Sequence, residues 1–124
     1  MATLGQYNAA EMTAQEVFDA GAAHLLEQGR KSLRMNTRLC AYSSPSGLIC
    51  GAAPFVQNYT SDMESAGWSE LVEDFGQTVD HCSLIEGIQN CHDAYKPKDW
   101  YLVLKSLAHH CNLDPAILEH YRNA

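Results

Sequence analysis

The side chains in this 124-residue chain best suited to react or to hold a metal are its five cysteines and six histidines. Cys40 and Cys50 flank the turn-forming cluster Ser43-Ser44-Pro45-Ser46-Gly47. A hairpin closing on that cluster, with Tyr42 opposite Leu48, sets the two thiols on one face at about 5.5 Å between Cβ atoms. Facing thiols form a disulfide or supply half of a tetrahedral metal site, which His92, His109, His110 or Cys111 would have to complete. No Cys-x-x-Cys occurs, so the common zinc-ribbon and thioredoxin-like spacings are absent. In a reducing compartment Cys82, Cys91 and Cys111 read as small core hydrophobes.

A second group is Cys91-His92-Asp93, which suggests a Cys/His pair or the His-Asp doublet of a metal-dependent phosphohydrolase. Adjacent residues of a helix diverge by about 100°, so Cys91 and His92 cannot act as nucleophile and base without a bend. The simpler reading of His92 is a partly buried ring satisfied by Asp93 or by a backbone carbonyl. As the lining of a small-ligand site, His92, Asp93 and Tyr42 are the candidates. The chain has no Gly-x-Gly-x-x-Gly, no Walker loop and no Gly-x-Ser-x-Gly elbow. Neither catalysis nor a cofactor is expected.

Charge is distributed unevenly. Lys plus Arg is 8 and Asp plus Glu is 15, a net charge of -7, which disfavours unaided binding to a nucleic-acid backbone. Positions 61–95 hold Asp62, Glu64, Glu70, Glu73, Asp74, Asp80, Glu86 and Asp93 with no Lys or Arg. Such a face is suited to a basic protein surface, because complementary potential raises encounter rates and rejects wrong partners. It serves equally as a solvated, solubilising face. Glu70, Glu73, Asp74, Asp62 and Glu64 are the expected contacts, with Trp68 and Tyr59 as exposed aromatic anchors.

These groups have to be positioned by a mainly helical α+β domain. Residues 1–12 read as a flexible arm and 13–124 as one globular domain, with four to five helices around one core and a single inserted β-hairpin at about 38–52. Thr13-Ala14-Gln15-Glu16 is a capping box opening a helix over 14–28, closed by Gly29. A short helix over about 69–75 ends at Gly76. A longer one over about 78–95 carries Leu84, Ile88, Cys91 and Tyr95 as a stripe, with Gly87 inside it costing about 1 kcal/mol relative to Ala. Asp99 is the expected cap of a helix bearing Trp100, Leu104, Leu107 and Ala108, and Asp114-Pro115 opens a last short one. At 46% hydrophobic and 19% charged the composition is that of a globular chain. No run of about eighteen apolar residues and no basic-then-apolar leader is present, so the expected location is the cytoplasm, away from membranes.

His24-Leu25-Leu26-Glu27-Gln28-Gly29-Arg30-Lys31-Ser32, then Cys40-x-Tyr42 with Gly47-x-x-Cys50, then Ile88-x-x-x-His92-Asp93 and Trp100, occur in an order that resembles a group of small, mostly uncharacterised proteins of tailed phages and prophages. The likeness runs over about residues 13 to 113; where such proteins commonly continue as Cys-Ala-x-Gly, this chain has Cys50-Gly51-Ala52-Ala53-Pro54. The resemblance brings no assigned activity. It implies an accessory protein of host takeover: a non-catalytic inhibitor or modulator that binds a host or bacterial anti-phage defence protein through the acidic stretch. Two other readings stand beside it. One is a small-ligand module, for instance for a nucleotide signal, or a metal-binding module, using Cys40, Cys50, His92 and Asp93. The other is a small hydrolase centred on His92 and Asp93. Surplus apolar helix surface in so short a chain also suggests a two-fold homodimer.

Overall fold

The computed structural model describes residues 2–33, 42, 47–64 and 66–121. Four α-helices carry the fold: α1 (Ala14–Gln28), α2 (Trp68–Phe75), α3 (Cys82–Ala94) and α4 (Trp100–His110). Single 3-10 turns at Ala9–Glu11, Ala53–Phe55, Ser61–Met63 and Pro97–Asp99, and a longer one at Ala116–Tyr121, join or flank them. α3 lies at the centre and packs on α1, α2 and α4, while α1 also meets α4 and the Ala116–Tyr121 turn.

α1 forms as its sequence dictates. The Thr13 hydroxyl accepts from the Glu16 N–H at 3.1 Å and Glu16 Oε1 accepts from the Thr13 N–H at 2.9 Å, satisfying two end donors reciprocally. Gly29 stops the helix at φ 64°, a left-handed conformation that costs glycine little. Val17, Phe18, Ala22 and Leu25 are buried on one side, against Ile85, Ile88, Trp100 and Leu104 in a single apolar cluster. Gly87 is explained by packing: a Cβ there would lie 2.7 Å from Leu107 Cδ1, so its absence lets α4 approach α3.

Several boundaries differ from the sequence reading. α2 begins one residue earlier, at Trp68, and α3 begins only at Cys82. His81, at φ 61°, turns the chain just before α3, and its Nε2 lies 2.7 Å from the Met12 C=O. Asp99 belongs to a 3-10 turn and makes no side-chain cap. Asp114 does act as a cap, accepting from the Ala116 N–H at 2.9 Å, but the segment that follows winds as a 3-10 turn.

Residues 2–12, expected to be an arm, are tied to the body. The Gly5 N–H donates to the Ala53 C=O at 3.0 Å, the Tyr7 N–H to the Pro54 C=O at 2.9 Å, and Ala9 is 1% exposed. The inserted β-hairpin is overturned. Among the described residues there is no strand, sheet or hairpin, only isolated bridge residues at Leu33 and Ile49. Tyr42 does not pair with Leu48: its N–H donates to Glu64 Oε1, and the Leu48 C=O accepts from the Ser32 hydroxyl. The physical reason, among the described residues, is that side chains take up the polar groups of Ile49, Cys50 and Ala52. Gln28 bonds both the N–H and the C=O of Ile49, His24 bonds the carbonyls of Ile49 and Cys50, and Gln89 accepts from the Ala52 N–H. The expected first arm, including Cys40, lies outside the described residues.

Candidate functional site

α2 and α3 turn the acids of the cation-free stretch outward. Glu70, Glu73 and Asp74 fall at i, i+3 and i+4 on one exposed face of α2, while Trp68 and Leu71 turn into the core. On α3, Glu86 and Asp93 are exposed seven residues apart on a shared face. The Ser69 hydroxyl donates to Glu86 Oε1 at 2.6 Å, tying the start of α2 to α3. Beside this contact runs a groove of about 310 Å³ whose walls include Ser69, Glu86, Gln89 and Asp93. Among the described residues no Lys or Arg forms an ion pair with Glu70, Glu73, Asp74 or Glu86. Asp62 is exposed on the Ser61–Met63 turn.

Tyr42 is enclosed among the core residues. Its buried hydroxyl donates to the Ala66 C=O. Burial pushes its pKa well above the usual tyrosine value, and Cys50, Asp93, Glu64 and Glu70 push it further in the same direction. Glu64 faces inward, accepting from the Tyr42 N–H and from the Tyr59 hydroxyl.

The expected aromatic anchors are not there. Trp68 is 2% exposed and is one of the largest side chains of the core, so it offers nothing to a partner. Tyr59 is half-buried with its hydroxyl on Glu64. The hydrophobic stripe of α2 explains the miss, since Trp68 sits one turn before Leu71 and Val72 and shares their inward side.

His92 is fully buried and both ring nitrogens are engaged. Its Nε2 accepts from the Ser32 N–H at 2.9 Å, so the ring proton sits on Nδ1 and is donated to Asp93 Oδ1 at 2.8 Å. The ring also stacks on Trp100, with centroids 5.6 Å apart. Gln89, four residues earlier, donates to both Asp93 oxygens. In this arrangement His92 has no lone pair to give a metal or a substrate. Its chemistry is to hold the Ser32 backbone, and through Ser32 the Leu48 carbonyl, onto α3.

The remaining candidates are equally enclosed. Cys50 is 1% exposed and a free thiol, raised well above the ordinary cysteine value by burial, with Asp93 and Glu64 adding to the rise. Cys91, also buried, is pushed up to about 12 by burial, so neither is a ready thiolate. Among the described residues no group of three or more His, Cys, Asp and Glu is placed to hold a metal ion. His109 and His110 are exposed at the end of α4.

His24, Gln28 and Ser32, which entered the sequence analysis only through the resemblance and in no site assignment, are buried polar residues. His24 is 1% exposed; its Nε2 donates to the carbonyls of Ile49 and Cys50 at 3.1 and 3.2 Å, and its Nδ1 has no partner among the described residues. Burial lowers its pKa below 6.5, against the opposing pull of the two carbonyls. The available signal was position: Val17, Gly21, His24 and Gln28 share one face of α1, and that face is the core face. No family model matches the chain, and no curated protein or solved structure matches it. No helix of the described residues is long and apolar enough to cross a membrane.

Proposed function

We propose that this chain is a non-catalytic binding protein, an inhibitor or modulator that docks on a basic surface of a host or anti-phage defence protein. The observation that supports this most directly is the exposed carboxylate face of α2 and α3, where Glu70, Glu73, Asp74 and Glu86 have no Lys or Arg partner among the described residues. Unneutralised charge of one sign on a small rigid body attracts the opposite sign over about 8 Å at physiological salt and aligns the encounter. The burial of His92, Cys50 and Tyr42, with both His92 ring nitrogens and the Tyr42 hydroxyl already hydrogen-bonded, weighs against the ligand, metal and hydrolase readings. The phage resemblance supplies the kind of partner.

The test is affinity capture from bacterial lysate on the immobilised chain, comparing wild type with the triple variant Glu70→Lys, Glu73→Lys, Asp74→Lys. Glu11→Lys, on the separate Ala9–Glu11 turn, serves as the control. The expected result is a partner retained by wild type and control, released by moderate salt, and lost from the triple variant with its circular dichroism unchanged. A triple variant that keeps the same partner at the same salt dependence overturns the proposal.

A further inference from the structure

We infer that the chain forms a two-fold homodimer through the groove between α3 and α4, a surface that leaves Glu70, Glu73 and Asp74 of α2 free and shares Glu86 with the reading above. The groove has a volume of about 440 Å³ and is lined mainly by Gly87, Asn90, Tyr95, Leu102, Val103 and Leu107. The large hydrophobic side chains exposed among the described residues are Val79, Tyr95 and Leu102, and two of these three stand on this groove, Tyr95 at 42% and Leu102 at 66% exposure. Apolar side chains gathered at one concavity mark an interaction surface, whereas scattered ones do not. Gly87 lets the two helices close on each other at the groove floor, since a Cβ there would meet the Leu107 methyls.

Charge selects a second copy as the occupant. Successive helical residues advance by about 100°, so on α3 Glu86 and Asp93 lie beyond Asn90, on the bank away from α4. On α4, Lys105 lies beyond Leu102, on the bank away from α3. Glu86, Asp93 and Lys105 are all exposed. Across the groove the surface therefore reads acidic, then an apolar floor interrupted by Asn90, Ser106 and His110, then basic. A two-fold axis running along the groove reverses that order in the facing copy. The lysine of each chain then meets the acids of the other, and Leu102 of each faces the other's α3 bank. Such a patch is self-complementary, which an isologous interface requires.

Sedimentation equilibrium on the full chain, from low micromolar to several hundred micromolar, reads the result directly. The expected outcome is a rise from 13.7 kDa to twice that mass and no further. Leu102→Asp, at a site too exposed to affect the core, should weaken association at least about tenfold. Lys105→Glu should weaken it as well, with partial recovery when combined with Glu86→Lys. Circular dichroism melts show that each variant is folded. A single-chain mass at every concentration, growth beyond a dimer, a dimer indifferent to Leu102→Asp, or one indifferent to Lys105→Glu each overturns the proposal.

Discussion

Gln28 pairs with the backbone of Ile49 as a neighbouring strand would: the Ile49 N–H donates to Oε1 at 3.0 Å, and Nε2 donates to the Ile49 C=O at 2.9 Å. The same clasp recurs twice. Gln77 holds the N–H and C=O of Gln57 at 2.8 and 2.7 Å, and Gln15 holds those of Asp114 at 2.8 and 2.9 Å. A primary amide carries one acceptor and two donors in the geometry of a peptide group, so a single glutamine can satisfy one residue of irregular backbone. This is how a fold without a sheet among its described residues keeps buried, non-helical segments next to its helices.

Replacing Gln28 with Met keeps its bulk and removes both bonds to Ile49, along with a third from Nε2 to the Arg30 C=O. The Ile49 carbonyl still has His24, but the Ile49 N–H is left buried without a partner, at a cost of about 1–3 kcal/mol. Urea unfolding should show that loss in its midpoint. Gln15→Met, on a more exposed segment, should cost less than about 1 kcal/mol. Equal losses at both sites would contradict the clasp as a buried device.

His92→Phe separates the two roles of that ring. Phenylalanine preserves the stack on Trp100 but cannot accept from the Ser32 N–H, which is buried with Ser32 at 0% exposure. Destabilisation of about 1–3 kcal/mol is expected, together with faster amide exchange at Ser32. Unchanged Ser32 exchange would refute the structural role.

Stability should fall with acid in a way that His24 governs. The unfolded imidazole titrates near 6.5, and burial holds the folded one lower. Between those two values the unfolded chain binds a proton that the folded chain refuses, so stability is complete above pH about 6.5 and declines below it. The decline is at most about 1.4 kcal/mol per pH unit from this one group. His24→Gln should flatten the profile between pH 7 and 5 relative to wild type. Parallel profiles would remove His24 as the cause.

Two glycines should respond unequally to alanine. A Cβ on Gly51 would lie 2.7 Å from the Ile88 backbone carbonyl oxygen, which cannot yield, and a loss of about 2–3 kcal/mol is expected. At Gly87 the obstacle is the tip of Leu107, a flexible side chain, while helix propensity gains about 1 kcal/mol. Gly87→Ala should therefore lie within about 1 kcal/mol of wild type by thermal unfolding.

The sequence by itself determined α1 to the residue, because a capping box, a helical apolar period and a terminal glycine all act within the segment they define. It also determined, in outline, the other helices and the run of acids Glu70, Glu73 and Asp74 on the short helix, while the burial of Trp68 beside them came only with the packed structure. Tertiary structure alone decided the fate of Leu48–Ala52. Its alternation suited a strand, but a strand needs a partner, and glutamine, histidine and serine side chains drawn from α1, α3 and Ser32 met its polar groups instead. The same holds for His92, whose spacing suggested chemistry while a backbone N–H sixty residues away took up its lone pair. Contacts between residues so far apart leave no local period in the chain, so only the packed molecule could show them.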